Sequence, residues 1–396
     1  MGDSLNYIIN NIFIQDNNDK NNMKNKIKVC YVISSLSNQG PPNVLYNIIQ
    51  YMDFSKFDIS IVTMVNEQEI SRIDEFRALP IRVIQMHPDG VQNPVSMFFT
   101  LKKVIKEIDP DILHAHCPRS LMLIPFLPKK YRKWETIHIY PGLQQKVMYG
   151  SVKGQIVIWL SHFFNMRMDK PIACSESVAN SYYKHFGYKM LAIPNGCSLP
   201  VWKRDTEEKK KLRKRLEMRG ELKYFIFIGR LSHEKNPEKT LQAFEELLSE
   251  YNDIGLIILG NGNMFDELVS HASDRILLSG FKSNVYDYLK ASDYYVSASD
   301  VEGLPNTLLE AMTVGLPCVL SNIPAHEEVI AKASQPIGYS FCSHNIESQK
   351  EAIRKVLKID VESTALYIQK LFEQYYTARM MSEKYQKEYL SEFSLI

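Results

Sequence analysis

Several features that define common protein classes are absent from this 396-residue sequence. No apolar run approaches the roughly 18 residues of a spanning helix, and no basic-then-apolar secretory signal opens the chain. The formal net charge of +2 gives no overall field that would attract nucleic acid. The six cysteines form no C-x-x-C pair, which is typical of reduced, packed thiols. These absences predict a cytoplasmic protein with no nucleic-acid partner.

Short apolar runs alternate with amphipathic segments along most of the chain. Residues 1–25 are rich in Asn and Asp, and we expect them to be a disordered extension. Two series of strand-length runs follow, and each is typical of a parallel, doubly wound α/β domain. The predicted strands are 27–34, 59–65, 81–86, 112–116 and 172–174, then 224–229, 255–260, 276–280, 294–297 and 317–321. Between them, the charged stretch after residue 205 mixes acids with bases, which favours a solvated helix over a basic patch.

The segment 297–330 contains the most informative chemistry. After a loop, Pro305 is a favoured first helical residue, and Gly315 predicts a left-handed stop. This helix would begin at the carboxyl edge of a parallel sheet, where free N–H groups and the helix dipole favour phosphate. The N–H groups of Asn306, Thr307 and Leu308 are among those expected to be free.

Two acids accompany this helix start. Glu302 lies in the loop, and Glu310 lies on the helix face that carries Asn306 and Thr307. Carboxylates accept hydrogen bonds and therefore suit sugar or ribose hydroxyls. Taken alone, Glu302 fits a helix cap and Glu310 a solvated helix residue. Together with the loop, the helix start and the helix stop, they predict a donor site.

Two cations follow an earlier predicted strand. Arg230 and Lys235 lie in the loop before the next helix. The planar guanidinium of an arginine and the compact ammonium of a lysine both suit a diphosphate. Alone, they fit surface cations equally well. Gly260 and Gly262 indicate a tight turn after the following strand, but no G-x-G-x-x-G dinucleotide fingerprint occurs.

These segments resemble a known family. "GRLSHEKNPEKTLQAF", "LGNG", "LLSGF", "YLKASDYYVSAS" and "EGLPNTLLEAMTVGLPCVLSN" are similar to the second domain of glycosyltransferase family four, and Glu302 and Glu310 match its E-x(7)-E pattern. "IKVCYVISSLSNQGPPNVLYNII" and "DILHAHCPRSLML" resemble its first domain more loosely. The resemblance implies an α/β GT-B fold, in which two Rossmann-like, doubly wound domains face each other across a donor-binding cleft.

The resemblance also implies a domain plan and site roles. It places an acceptor domain at 26–200, a linker with a first helix at 201–222, a nucleotide-sugar domain at 223–375 and a helix crossing back at 376–396. Arg230 and Lys235 would hold the donor diphosphate and stabilise the leaving charge. Glu310 would bind the ribose, and Glu302 the donor sugar. Backbone N–H groups near Asn306–Leu308 would complete the donor contacts.

Three further positions carry family roles. The backbone around Phe281 would contact the base, and His116 would line the reaction centre from the first domain. Gly40 would allow close approach of the diphosphate. Family members usually carry a Gly-Gly loop here, whereas Gly40 is followed by Pro41 and Pro42, which have no backbone N–H to donate. The number of N–H contacts to the diphosphate at this loop is therefore open.

The implied chemistry needs no metal and no cofactor beyond the sugar nucleotide. The resemblance implies that this donor is a UDP-sugar carrying a hexose. With no second carboxylate evident as a nucleophile, the resemblance implies retention by front-face attack. Asp109 and Asp111 spell D-x-D, but Pro110 between them favours a turn over a metal motif. His114 and His116 share a strand face, which favours polar lining of the site over a metal pair.

The acceptor is expected on the first domain. Cations and aromatic rings in 128–150 suit a saccharide or lipid-linked saccharide, as in bacterial-type surface polysaccharide or glycoconjugate synthesis. The candidate acceptor-side residues are Tyr131, Trp134, His138 and Tyr140. The apolar run 156–164 is interpreted as a buried helix, with partial docking at the inner face of the membrane as the alternative.

Three other functions are weighed on the same architecture. A sugar-nucleotide epimerase would also bind the donor, but it needs additional acid and base residues, and a phosphorylase needs a cofactor lysine phrase that is not found. A non-catalytic sugar-nucleotide-binding protein is the third interpretation, against which the joint presence of the two glutamates and two cations argues.

Overall fold

A computed structural model describes residues 26–68, 70–86, 93–142, 145–146 and 150–393. The extension predicted at 1–25 lies outside these residues. The described chain forms two compact units. The first comprises the residues up to Pro194 together with those from Ala378 onward, and the second comprises Asn195–Thr377.

The first unit is built on a parallel sheet of seven strands in the order β3-β2-β1-β4-β5-β6-β7. Its strands are β1 (Ile27–Ile33), β2 (Phe57–Thr63), β3 (Arg82–Gln85), β4 (Ile112–Ala115), β5 (Arg132–Ile137), β6 (Lys170–Ala173) and β7 (Leu191–Ala192). Its helices are α1 (Gly40–Ile49), α2 (Ile73–Arg77), α3 (Pro94–Ile108), α4 (Pro118–Leu123), α5 (Ser151–Asn165), α6 (Glu176–Phe186) and the late helix α15 (Ala378–Ser391).

Both faces of this sheet are covered, so its strands are apolar on both sides. Successive side chains of β1 point to opposite faces: Tyr31 joins one core cluster, whereas Cys30 and Val32 join the other. The helix α15 contributes Tyr385 and Tyr389 to the cluster that contains Tyr31. The last helix of the chain is therefore part of the core of the first unit.

The second unit is built on a parallel sheet of six strands in the order β10-β9-β8-β11-β12-β13. Its strands are β8 (Lys223–Ile228), β9 (Ile254–Leu259), β10 (Ile276–Gly280), β11 (Tyr294–Ser297), β12 (Cys318–Ser321) and β13 (Gly338–Phe341). Its helices are α7 (Thr206–Arg215), α8 (Pro237–Glu250), α9 (Phe265–Leu268), α10 (Val285–Ala291), α11 (Asn306–Val314), α12 (Pro324–Ile330), α13 (Ile346–Val356) and α14 (Val361–Tyr375).

Three strands were not predicted. The strand β5 carries two charged residues that the fold nevertheless buries, Lys133 and Glu135, and these interrupt the apolar pattern. The Lys133 ammonium donates to the carbonyl oxygens of Pro125 and Leu127 at 2.9 and 2.7 Å, which satisfies it in the interior. The strand β7 has two residues, too few for a periodic signal, and in β13, with the sequence GYSF, Gly338 and Ser340 interrupt the apolar run.

The charged helix α7 is not simply solvated. Lys209 and Arg213 each form an ion pair with Asp293 at 2.6 Å, and the Arg213 side chain is 9% exposed. Arg213 also donates to the carbonyl oxygen of Ala291 at 2.9 Å. The expectation of a solvated helix holds for the outer face alone, because the inner face anchors the helix to the second sheet.

The helix α5 also differs from the prediction. It buries Gly154, Ile158 and Asn165, whereas its large apolar side chains face solvent. The prediction that the run 156–164 forms a buried helix is therefore wrong. Within the described residues, no helix combines the length and apolar composition needed to cross a bilayer.

Candidate functional site

The two predicted donor motifs meet at one edge of the second sheet. Strands β8 and β11 are neighbours in the sheet. The chain continues from β8 to β9 on one side and from β11 to β12 on the other side. The loops that follow such strands open a crevice at the carboxyl edge, which is the usual ligand site of this sheet type. Here Lys235, after β8, donates through Nζ to Glu302 Oε1, after β11. An ion pair thus joins the two motifs.

Neighbouring polar side chains hold both loops in place. Asn236 adopts the left-handed conformation with φ of 50°, and its amide donates to the Ala298 carbonyl oxygen at 2.9 Å and to Asp300 Oδ1 at 2.7 Å. The Ser299 hydroxyl donates to Glu302 Oε1 at 2.8 Å. The loop after β11 is therefore fixed from one side by Asn236 and internally by Ser299.

The Glu302 carboxyl is ionised in this setting. Its side chain is 14% exposed, and burial by itself would raise its pKa. The charge and hydrogen bond of Lys235, with smaller contributions from His326 and Ser299, outweigh burial and lower the pKa below its usual range. Glu302 therefore presents a hydrogen-bond-accepting carboxylate at the sheet edge.

Close backbone approach explains the glycines of the adjacent loop. A Cβ on Gly260 would lie 1.8 Å from the Gly229 carbonyl oxygen, and a Cβ on Gly262 would lie 2.1 Å from that of Leu231. The Phe281 N–H donates to Asn261 Oδ1 at 3.0 Å, which connects the loop after β10 to the glycine loop after β9. The Phe281 side chain is 38% exposed beside this turn.

The helix α11 begins one residue later than predicted. Pro305 is its N-cap, with φ of −70° and ψ of 119°, and Gly315 ends it with φ of 74°. The Leu308 N–H donates to the Pro305 carbonyl oxygen at 3.2 Å. The prediction that this N–H group is free is therefore wrong. The Thr307 hydroxyl instead lies 2.8 Å from the hydroxyl of Tyr295 on β11.

The remaining predicted residues of this unit have different surroundings. Arg230 is exposed two residues after the end of β8 and directly before the buried Leu231. Glu310 is half-buried on α11 and lies near Cys197, whose pKa is raised to about 12 by burial and, secondarily, by the Glu310 charge. The thiol of Cys197 is therefore protonated beside that carboxylate.

One residue of this site was missed in the sequence. His326, on α12, is fully buried, and its Nδ1 donates to the Ser321 carbonyl oxygen at 2.9 Å. Burial lowers its pKa to about 4, despite the opposing effect of Glu302. Among the described residues, its Nε2 has no hydrogen-bond partner. Its position four residues after the phrase "EGLPNTLLEAMTVGLPCVLSN", which ends at Asn322, was the available signal.

The first unit places Gly40 at the start of α1. A Cβ on Gly40 would meet no heavy atom within 4 Å, so the space beside it is open. Pro41 and Pro42 follow in the first turn, and the Asn43 N–H donates to the Gln39 carbonyl oxygen at 3.1 Å. The first turn of α1 thus offers few backbone donors, and the diphosphate contact at Gly40 stays a prediction.

Two histidines meet at the carboxyl edge of the first sheet. His116, directly after β4, lies 3.2 Å from His138, directly after β5, measured from Nδ1 to Nε2. Burial lowers the pKa of His116 well below its usual value and that of His138 to about 4. His116 is fully buried, and its Nε2 has no partner among the described residues. The pair is therefore neutral.

The expected acceptor-side aromatics are mostly core residues. Tyr131 is 3% exposed and Trp134 is fully buried, with the Trp134 ring 4.8 Å from that of Tyr389. Neither ring has a face open to an acceptor, so these two assignments are wrong. Tyr140 is half-buried, and its ring centroid lies 4.9 Å from that of His185, on which it stacks. The assignment of Tyr140 and His138 to the acceptor side stays a prediction.

The D-x-D residues serve the turn before β4. Asp109 is the left-handed C-cap of α3 and pairs with Lys130, while Asp111 accepts from the Lys28 N–H at 2.7 Å. Across the described ranges, no three His, Cys, Asp or Glu side chains are grouped to hold a metal.

Known families and proteins match both halves of the chain. The model "Glycosyltransferase Family 4" matches residues 39–199, and "Glycosyl transferases group 1" matches residues 208–374. An alpha-monoglucosyldiacylglycerol synthase of Streptococcus pneumoniae is 28% identical over 246 residues, which span 58% of this chain and 56% of that protein. The chain thus covers little more than half the length of this relative.

A second relative matches over a longer stretch. It is the UDP-Gal:alpha-D-GlcNAc-diphosphoundecaprenol alpha-1,3-galactosyltransferase of Escherichia coli, 25% identical over 75% of this chain and 80% of that protein. Among solved structures, Anabaena HepE in complex with UDP and glucose has a TM-score of 0.77 at 16% identity, covering 92% of this chain and 100% of that one.

Two parallel doubly wound sheets, the two glutamates and two cations of the donor motifs, and matching family models over both halves agree. The chain belongs to glycosyltransferase family four, has the GT-B fold and is a glycosyltransferase.

Proposed function

We propose that this enzyme transfers a hexose from a UDP-sugar, with retention of configuration, to a saccharide or lipid-linked saccharide. The observation that carries the proposal is the Lys235–Glu302 pair at the switch point of the second sheet, beside the start of α11. Positive charge there is positioned where the departing diphosphate gains negative charge. The Glu302 carboxylate beside it accepts hydrogen bonds from donor sugar hydroxyls.

The remaining donor contacts follow from the same edge. Arg230 supplies a second cation for the diphosphate, Glu310 binds the ribose hydroxyls, and the loop at Phe281 lies against the base. The anomeric carbon exchanges its bond to the phosphate oxygen for a bond to the acceptor oxygen. The acceptor proton passes to the departing phosphate oxygen, on the same face of the sugar. We assign no carboxylate to covalent attack, because Glu302 is already engaged by Lys235 and Ser299.

The choice of donor and acceptor draws on similar proteins. HepE was solved with UDP and glucose, and the Escherichia coli relative uses UDP-Gal and a diphosphoundecaprenol acceptor by name. These names support a UDP-hexose donor and a lipid-diphosphate-linked acceptor for this chain, in synthesis of surface polysaccharide or glycoconjugate. His116 from the first unit is assigned to the donor sugar, and because its ring is fully buried, this contact requires the ring to become exposed when the donor binds. His138 and Tyr140 belong to the acceptor side.

A thermal-shift screen with UDP-, ADP- and GDP-sugars tests donor binding. We expect a UDP-hexose to stabilise the wild type, and Glu310→Ala and Lys235→Ala to lose most of that response. Glu373→Ala, at an exposed position of α14, is the matched control and keeps it. If no sugar nucleotide stabilises the wild type, or if all variants respond alike, the site assignment fails.

A turnover assay separates the three possible activities. A transferase releases UDP when a lipid-diphosphate-linked saccharide is added, an epimerase interconverts the donor sugar without acceptor, and a binding protein does neither. The anomeric proton coupling of the product, measured by NMR, reports the configuration. An α-linked product from an α-linked donor is expected, and a β-linked product would exclude retention.

A further inference from the structure

The helix α5 presents an apolar stripe to solvent. The stripe follows the spacing of one helix face, i, i+4, i+7, i+8 and i+11, which normally packs on a core. Its members are Val152, Ile156, Trp159, Leu160 and Phe163, with exposed fractions of 75%, 54%, 63%, 46% and 42%. A contiguous exposed apolar surface of this kind marks an interaction site.

The rotation of α5 is fixed by its inner face. A Cβ on Gly154 would lie 2.5 Å from the Gln145 carbonyl oxygen, so the helix sits directly against that backbone. At its other end, the Asn165 amide donates to the Tyr182 hydroxyl at 2.6 Å, and the His162 ring stacks on Phe186 at 3.8 Å. These contacts hold the apolar stripe outward.

The neighbouring helix extends the same surface. Phe126, in the turn after α4, is 58% exposed, and its ring lies 6.1 Å from that of Phe164 on α5. Met122 on α4 is 46% exposed. The apolar surface therefore spans two elements of the first unit.

Along the chain, the charges from 136 to 168 have one sign, and the next acid, Asp169, accepts a hydrogen bond from the Lys133 N–H at 2.8 Å. Residues 136–168 contain no Asp or Glu, whereas Lys146, Lys153 and Arg167 are present and exposed. The Arg167 guanidinium lies 3.4 Å from the centroid of the Phe163 ring, so cation and apolar surface are contiguous. Long cationic side chains beside apolar ones suit a layer whose interior is hydrocarbon and whose surface is anionic.

We propose that this face, α5 with Met122 and Phe126, docks on an anionic lipid bilayer with α5 lying in the plane of the interface. A symmetric pair of copies would bring Lys153 and Arg167 together with no acid from 136–168 to match them, which disfavours self-association. Phosphate headgroups supply the missing negative charge, and Trp159 is suited to the headgroup boundary. Docking would hold the enzyme where a lipid-linked acceptor lies.

Trp159 provides a direct probe, because the other two tryptophans, Trp134 and Trp202, are 0% and 7% exposed. Full-length protein is mixed with phosphatidylglycerol vesicles or phosphatidylcholine vesicles at low salt, and binding is followed by co-sedimentation and by tryptophan emission. We expect binding and a blue shift with phosphatidylglycerol, and weaker binding with phosphatidylcholine or at high salt.

The double variant Trp159→Glu/Phe163→Glu should lower the affinity for phosphatidylglycerol vesicles by about 10-fold or more. Leu366→Glu, at a 61% exposed position in the second unit, is the matched control and should bind as the wild type does. Lys153→Gln/Arg167→Gln should reduce binding and its dependence on salt. All changed positions are exposed, and circular dichroism with sugar-nucleotide thermal shift verifies folding.

Three results would overturn the docking proposal. They are a wild type that ignores phosphatidylglycerol vesicles, a double variant that binds as well as the wild type, and a solution dimer that the double variant converts to a monomer. The last result would assign the face to a second copy. Vesicle binding does not depend on donor binding, so failure of the UDP-sugar screen alone would leave this proposal standing.

Discussion

His114 Nδ1 and the Tyr389 hydroxyl lie 2.6 Å apart in the core of the first unit, although 275 positions separate them in the chain. The Tyr389 hydroxyl also lies 2.9 Å from that of Tyr31, and His114 Nε2 lies 3.0 Å from the Thr136 hydroxyl. Burial lowers the pKa of His114 to about 3, so the ring is neutral. A hydrogen-bonded network thus joins α15 to β1, β4 and β5.

Tyr389→Phe tests this network. The change leaves His114 Nδ1 and the Tyr31 hydroxyl buried without that partner, and we expect the free energy of unfolding to fall by about 2 kcal/mol. Urea unfolding followed by circular dichroism measures it. Tyr183→Phe, at a 52% exposed position, is the control and should change the value by less than about 0.5 kcal/mol. Equal stability of both variants would show that the network is energetically neutral.

Glu135 predicts a pH dependence of stability. It is 5% exposed, its Oε2 has no partner among the described residues, and burial raises its pKa to about 8. From the ordinary pKa of 4.5 up to about 8, the unfolded chain has released a proton that the folded chain keeps. Stability contributed by the protonated carboxyl is therefore complete below 4.5 and lost as the pH rises toward 8.

Glu135→Gln should remove this loss and stabilise the protein at about pH 8 by roughly 1–3 kcal/mol relative to wild type. Urea unfolding at about pH 5 and about pH 8 measures the difference. Glu107→Gln, at an exposed position of α3, should leave the pH dependence unchanged. If the free energy of unfolding varied with pH in the same way in the wild type and in Glu135→Gln, the conclusion that Glu135 is uncharged in the folded protein would be contradicted.

The Lys235–Glu302 pair predicts coupled effects. Lys235→Met leaves the Glu302 carboxylate with Ser299 but without its cation, and should lower the free energy of unfolding by about 1–3 kcal/mol. The double variant Lys235→Met/Glu302→Gln should regain part of the lost free energy of unfolding. We expect calorimetry to detect no UDP-sugar binding by the single or the double variant. Because the folded pKa of Glu302 is lowered, its contribution is present above the ordinary carboxyl pKa and lost as the pH falls below it.

Full stability of Lys235→Met, or no recovery in the double variant, would show that the two side chains are not energetically coupled. Glu302→Gln alone is the useful comparison, since it removes the charge but keeps an acceptor oxygen for Lys235.

His116→Ala should separate transfer from donor binding. We expect the rate of transfer to fall by about 100-fold or more, because the proposed contact of His116 with the donor sugar is lost, while thermal stabilisation by UDP is retained. Since His116 is neutral, its titration should add no inflection near pH 6.5 to the wild-type rate profile. His271→Ala, at an exposed position of the second unit, should leave the rate unchanged. Unchanged transfer in His116→Ala would remove this residue from the site.

The sequence predicted the parts of the fold that depend on local pattern. Strands with continuous apolar runs were found, and the confirmed GT-B fold follows from their alternation with helices. The strand β5 was missed because the ionisable residues Lys133 and Glu135 interrupt its apolar pattern although the fold buries them. Without that strand, Trp134 was assigned to an acceptor surface rather than to the core.

Residue types and their contacts were predicted to different extents. Lys235 and Glu302 were chosen for their chemistry, but their ion pair across 67 positions depends on β8 lying beside β11, which no local pattern specifies. The outward rotation of α5 was missed for a related reason. The run 156–164 is apolar nearly all round and so has no polar side that indicates its orientation, which the contact at Gly154 decides.

The position of α15 has a consequence for biosynthesis. The second unit is one continuous stretch, Asn195–Thr377, and every residue of it leaves the ribosome before α15 does. The first unit begins earlier but needs Tyr385 and Tyr389 to fill its core and to satisfy His114 and Thr136. During translation, the unit whose synthesis begins first is therefore the unit completed last. Until α15 is made, α1 covers one face of the sheet without the α15 side chains.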